Sequence, residues 1–151
     1  LGGAQKNRSP AAVCAAVVRE QLDMVQVKPL EYAAVPAVLA ATDVVVQLAA
    51  FPEPFSRVWL EALAAGLPLL SSDTAGAREV LGSAAVYCDP FDHTSIQNAI
   101  HALVQDPAAR QQLAAAATER AADYAADIVR PQLLAVYRGI AAAHKRQAPS
   151  A

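Results

Sequence analysis

Short apolar runs rich in β-branched residues or leucine alternate along this chain with longer stretches in which apolar residues recur every three or four positions. The first marks strands and the second amphipathic helices. Ser9 can cap free amides and Pro10 fits the first helical position, so a helix is predicted from about Pro10 to Leu22. Met24 to Lys28 predicts a short strand, and Val35-Pro36 opens a brief helix that ends before Thr42-Asp43. Val44 to Val46 is continuous and β-branched, as a strand covered on both faces would be. Pro54 to Ala65 predicts the next helix, closed by Gly66, which can take the left-handed conformation of a helix end; Pro68 blocks any continuation. Leu69 to Ser71 and Ala85 to Cys88 add two buried strands, separated by the turn-rich Asp73-Thr74-Ala75-Gly76 and a short helix near Arg78 to Leu81.

Three helices close the chain: about Ser95 to Val104, Pro107 to Tyr124 with Asp106 as cap, and Ile128 to Ala143. Four strands interleaved with helices predict a doubly wound, Rossmann-like α/β domain with a parallel sheet. At 151 residues and 55% hydrophobic, one domain with a sizeable core is expected.

Charge and cysteine content narrow the function. A net charge of -2 and a pI near 5.9, without a dense basic block, give no electrostatic attraction to nucleic acid. The closing Lys145-Arg146 pair is too short to alter that. Cys14 and Cys88 lack CxxC neighbours, so both read as buried structural thiols. His93 and His101 have no third ligand at metal spacing, and no metal site is expected. No apolar run approaches the roughly 20 residues of a spanning helix, and no secretory leader opens the chain at Leu1. A cytoplasmic protein is expected.

In open parallel sheets ligands bind beyond the carboxyl ends of the strands, where loops lead into helices. Two loops qualify, Ala49 to Arg57 and Ser72 to Glu79. The first carries Glu53 and Glu61, with a helix start between them whose amides near Ser56, Arg57 and Val58 would favour a phosphate group. If both carboxylates lay on the helix, eight residues would separate them by about 12 Å. A glycosidase pair stands about 5 to 9.5 Å apart. The spacing suits gripping two ends of one long ligand, but by itself it equally fits an ordinary first-turn acid and a solvated helix residue. Trp59 reads as core, Tyr87 as core, and Arg57 as either an exposed cation or a diphosphate contact.

The run EPFSRVWLEALAAGLPLL, Glu53 to Leu70, resembles the signature of the retaining GT-B glycosyltransferases of the glycosyl transferases group 1 family, also called family four. VPAVLAATDVVVQ upstream, and DTAGAREVL with the Asp89-Pro90 turn downstream, resemble its flanks, so the similarity covers roughly residues 25 to 140. The resemblance implies the carboxyl-terminal, nucleotide-sugar-binding half of a GT-B fold. It makes Glu53 the catalytic-site glutamate at the donor sugar hydroxyls and Glu61 the ligand of the ribose hydroxyls. Phe55, Ser56, Arg57 and Val58 fall in the segment that meets sugar and diphosphate, and Gly76 and Glu79 in the following loop. Two positions depart from the pattern: Ser56 stands where many relatives have glycine, and Ala75 replaces a frequent first glycine.

The resemblance also implies metal-free, cofactor-free transfer of a sugar from a nucleotide diphosphate sugar with retention, the departing diphosphate being stabilised electrostatically. The donor-binding domain is expected over residues 1–145, lacking its first strands and the family's basic diphosphate pair, with 146–151 a disordered tail. The turn Leu1-Gly2-Gly3 would follow the second strand. The amino-terminal acceptor-binding domain is expected to be missing, so the chain alone would be inactive; any peripheral membrane association would run through that domain. The closing helix aligns Val129, Leu133, Tyr137 and Ile140 on one side. In relatives this segment returns across the amino-terminal domain, and without it the stripe would face water or another copy.

Two rival functions differ in class. A noncatalytic nucleotide-sugar-binding module would keep Glu61 but not need Glu53. An unrelated doubly wound ligand-binding domain, for flavin or a phosphoacceptor, would want other residues: Asp43 stands alone at a strand beginning, and no GxGxxG follows a first strand.

Overall fold

The computed structural model describes residues 29–51 and 53–147. The helix expected over Pro10–Leu22, the strand over Met24–Lys28, the Leu1-Gly2-Gly3 turn and Cys14 lie outside the described residues. By its internal contacts the chain divides between Val35 and Pro36. Among the described residues the first unit holds one 3-10 turn, Tyr32–Ala34, with Tyr32 exposed. Helix α1, Val35–Ala40, begins at the division.

The second unit then runs β1 (Val45–Gln47), α2 (Arg57–Ala64), β2 (Leu69–Ser72), α3 (Ala75–Leu81), β3 (Ala85–Cys88), α4 (His93–Gln105), α5 (Pro107–Ala122) and α6 (Ala126–Gln147). The strands form a parallel sheet in the order β1-β2-β3, with Val45 opposite Leu69 and Leu69 opposite Ala85. Each strand is joined to the next by a helix, the crossover that parallel pairing requires.

Alternation of side chains across β2 divides the core. Leu69 joins Trp59, Ala62 and Leu63 of α2, Ala77, Val80 and Leu81 of α3, and Ala117 of α5. Leu70 points the other way, with Cys88 and with Leu103 of α4. All four residues of β2 are buried, Ser71 and Ser72 included, because β2 is the central strand, covered on both faces. Coverage of β1 is less complete than its β-branched run suggests. Val45 packs on one core cluster and Val44 and Leu48 on the other, but Val46 is 48% exposed, because β1 is the edge of the described sheet.

Local chemistry sets most boundaries. Asp106 caps α5 by accepting from the Ala109 amide at 2.9 Å, with Pro107 at the first position. Asp92 caps α4 through the Thr94 amide. Gly66, at φ 65°, closes α2 in the left-handed region. Arg110 of α5 donates to the Leu103 and Val104 carbonyls at the end of α4, satisfying acceptors that a helix leaves unpaired.

Three expectations change. The helix expected from Pro54 starts at Arg57, because Ser56 is extended (φ -113°, ψ 133°) and Pro54 and Phe55 remain in the loop. The loop around Gly76 is instead the first turn of α3, capped by the Thr74 hydroxyl, which accepts from the Ala77 amide at 3.1 Å. Helix α6 carries the backbone to Gln147, past the boundary at residue 146 where a tail was expected. No helix among the described residues is long and apolar enough to cross a membrane.

Candidate functional site at the strand ends

Three loops leave the carboxyl ends of β1, β2 and β3. The first two are tied together by Ser72, the last residue of β2. Its hydroxyl accepts from the Ala49 amide at 2.8 Å and donates to the Ala49 carbonyl at 3.0 Å, continuing by side chain the ladder that the β1 backbone leaves. The second and third are tied by the Asp73 amide, which donates to the Cys88 carbonyl at 2.9 Å. The strand ends therefore form one platform.

On it the structure brings Glu53 and Gly76 together. A Cβ on Gly76 would stand 2.6 Å from the Glu53 carbonyl oxygen and 2.7 Å from that of Pro54, so only glycine lets the first turn of α3 approach this loop. Glu53 is partly buried, and its Oε2 accepts from Gln47 Nε2 at 2.9 Å. Gln47 ends β1, so the sheet itself orients this carboxylate. The Gln47 Oε1 is buried with no hydrogen-bond partner among the described residues, as is Trp59 Nε1.

The loop continues through Phe55, exposed and edge-on to the Tyr124 ring at 6.2 Å, to Ser56, which is buried. With Ser56 as the flanking residue, the amides that α2 leaves without an intrahelical partner run from Ser56 to Trp59. Arg57 and Val58 are exposed there, and Trp59 is core. Glu61 lies one turn on, partly buried, and Glu53 is off the helix, so the 12 Å helical rise does not describe their separation. Glu79 is exposed on α3, three residues beyond Gly76.

Charge at the platform is concentrated on Asp73 and Arg78, which form a two-pronged pair at 2.5 and 2.8 Å. The hydrogen bond from Arg78 holds the Asp73 carboxyl below its ordinary range. The Arg78 guanidinium also lies over the Tyr87 ring, 4.6 Å from its centre. Tyr87 is not wholly core: its hydroxyl donates to the Gly82 carbonyl at 2.7 Å, and burial raises its pKa. Burial likewise raises the Cys88 thiol, which suits a structural residue. No group of three or more metal-ligating side chains occurs among the described residues.

Sequence reading missed Gln47, Ser72 and Asp73. Gln47 is marked only as a polar residue ending an apolar run, with nothing in the sequence to name its partner; Ser72 follows a second serine and carries no such mark.

A parallel sheet with core packed on both faces and strands joined by helices defines a doubly wound α/β domain. Its relatives narrow the class. The model of the family described as glycosyl transferases group 1 matches residues 3–120. Glycogen synthase of Mycobacterium tuberculosis is 43% identical over 70 residues, which are 45% of this chain and 17% of that protein. Among solved structures, sucrose-phosphate synthase from Thermosynechococcus elongatus superposes with a TM-score of 0.79 at 25% identity, covering 94% of this chain and 38% of that one. Anabaena HepE, solved in complex with UDP-glucose, gives 0.72 at 25% identity, over 85% of this chain and 36% of that one. The chain thus spans well under half the length of these relatives. It belongs to the glycosyl transferases group 1 family, with the fold of a GT-B carboxyl-terminal domain.

Proposed function

We propose that this chain is the donor half of a glycosyltransferase, binding a nucleotide diphosphate sugar and acting in transfer of the sugar with retention at the anomeric carbon. The observation that carries the reading is the apposition of Glu53, held by Gln47, with Gly76 beside the start of α2. Support also comes from the family and from a similar fold solved with UDP-glucose.

In this reading Glu53 receives hydroxyls of the donor sugar, and Glu61 the ribose hydroxyls. The Arg57, Val58 and Trp59 amides face the diphosphate, where the helix dipole favours negative charge. Arg57 adds an exposed cation at the same place, and Phe55, Ser56, Gly76 and Glu79 complete the walls. As the sugar departs, charge grows on the diphosphate, and preorganised donors stabilise it more in the transition state than in the ground state. No cofactor enters this reading. Reaction also needs an acceptor in attack geometry. An amino-terminal domain would supply most of that geometry, so the chain alone transfers nothing, and a cytoplasmic supply of nucleotide sugar suits it.

Titration of UDP, GDP and ADP tests the assignment. A charged hydrogen bond is worth about 1.5 to 3 kcal/mol, so Glu61→Ala is expected to weaken the preferred nucleotide roughly tenfold or more. Equal affinity in parent and variant would remove Glu61 from the site.

A further inference from the structure

Beyond the Glu53–Gly76 contact, the same strand ends border a second, open concavity. A cavity of about 440 Å³ is lined by Ala49, Ala50 and Phe51 after β1, Asp73 and Thr74 after β2, and Asp89, Pro90 and Phe91 after β3. None of these residues contacts the donor in the proposed function. We propose that this cavity is a pyranose subsite for the sugar acceptor, Phe51 and Phe91 offering aromatic faces and Asp73 and Asp89 receiving hydroxyls.

Phe51 is 67% and Phe91 68% exposed, so two large apolar rings stand in water at the rim of one concave space. Two aromatics beside acidic groups in one concavity have the make-up of a small-molecule site. A pyranose presents an apolar C–H face to such a ring and polar hydroxyls at its edge. Carboxylates accept those hydroxyls with the strength of charge-assisted bonds.

Both acids are fixed in place before any ligand arrives. One edge of the Arg78 guanidinium holds both Asp73 oxygens, each of which keeps a further lone pair for a hydroxyl. Asp89 Oδ1 accepts from the Phe91 amide at 2.9 Å, which sets the turn carrying the Phe91 ring. Preorganisation of this sort lowers the ordering cost of a weak ligand.

Position makes the ligand an acceptor. Phe51 stands two residues before Glu53 on one loop, and Thr74 two residues before Gly76 on the other. The cavity therefore shares both loops with the proposed donor site across the contact of Gly76 with the Glu53 and Pro54 carbonyls. The assignment to an acceptor rests on the donor reading; the pyranose chemistry of the cavity does not.

Methyl gluco-, galacto- and mannopyranosides, titrated into the chain and followed by NMR, test it. At least one is expected to bind weakly and perturb the Phe51 and Phe91 rings. Phe51→Ala and Phe91→Ala should each weaken it about tenfold, Phe91→Tyr should restore it, and UDP affinity should not move. Both rings are exposed, and circular dichroism melts check that the variants stay folded. Failure of all three glycosides to bind, or equal binding in the alanine variants, overturns the subsite. If a glycoside binds as expected while UDP, GDP and ADP all fail, the donor reading falls and the pyranose site stands.

Discussion

Gly76 packs against the carbonyl of Glu53 so closely that a methyl group at Gly76 would lie 2.6 Å from that oxygen. The opposing atom is backbone, so no change of rotamer relieves the clash. Gly76→Ala is expected to destabilise by about 1 to 3 kcal/mol, the usual cost of overpacking, and to part the two loops. Thermal unfolding reads the first effect and nucleotide titration the second. An unchanged midpoint together with unchanged UDP affinity would show that the contact yields freely.

Gln47 acts through Glu53 alone among the described hydrogen bonds, by the 2.9 Å bond from Nε2. Gln47→Leu removes the donor while keeping a similar volume, and it also removes a buried Oε1 that lacks a described partner. Stability should fall by about 1 to 3 kcal/mol, since the partly buried Glu53 carboxylate loses its donor, less whatever the loss of the unpartnered Oε1 returns. In competition binding, UDP should be unaffected and UDP-glucose should lose its advantage over UDP. Equal weakening of both ligands would count against a sugar-facing Glu53.

Arg120 of α5 reaches across to α3. Its Nε donates to the Val80 carbonyl at 2.9 Å, and a second nitrogen donates to the Glu79 carbonyl. These acceptors lie in the last turn of α3, so one guanidinium closes the carboxyl end of that helix. Arg120→Ala is expected to cost about 2 to 3 kcal/mol. Lysine should rescue little, because a single ammonium does not reproduce the fork. Urea unfolding of the two variants measures both.

Much of the fold was legible because its determinants are local. The Ala85–Cys88 strand, the Asp106 cap and the Gly66 terminus each depend on a few adjacent residues. The start of α2 was not legible in the same way. Pro54 has the right chemistry for a first helical residue, but the approach of Gly76 holds the Glu53 and Pro54 carbonyls in the loop, and Ser56 becomes the boundary. The partners of Ala49 and Val80 are likewise tertiary: Ser72 lies 23 residues from the one and Arg120 lies 40 from the other. Within the candidate site the acidic positions could be read from sequence, but the glutamine that orients one of them could not, because its reach depends on where β1 ends.

Acid should weaken the platform at Asp73. Its pKa is lowered by the hydrogen bond from Arg78, so the folded state holds the proton less tightly than the unfolded one. The stabilisation is therefore complete above the ordinary carboxylate pKa and is lost as pH falls through that value toward the lowered one. Denaturant unfolding of parent and Asp73→Asn should differ near neutrality and converge in acid. The pair is exposed, so the difference should be small and should shrink with salt. A difference that grew as pH fell would contradict the assignment.

Helix α6 carries its apolar residues in water. Val129, Leu133, Val136 and Ile140 succeed one another at intervals of four, three and four, the spacing of a seam between two helices, with Tyr137 beside it. All five are at least 40% exposed. None belongs to either core cluster, so their contribution to the stability of the sheet domain should be slight. Replacing Leu133 and Ile140 together by Gln should leave the unfolding free energy within about 0.5 kcal/mol, as for ordinary surface sites. Association should change far more, since a row of exposed apolar side chains gains by leaving water wherever it meets another. Sedimentation velocity over a concentration series should show self-association of the parent chain and little of the double variant. A parent that stays monomeric throughout, or a variant that loses stability as a core mutant would, contradicts this account of α6.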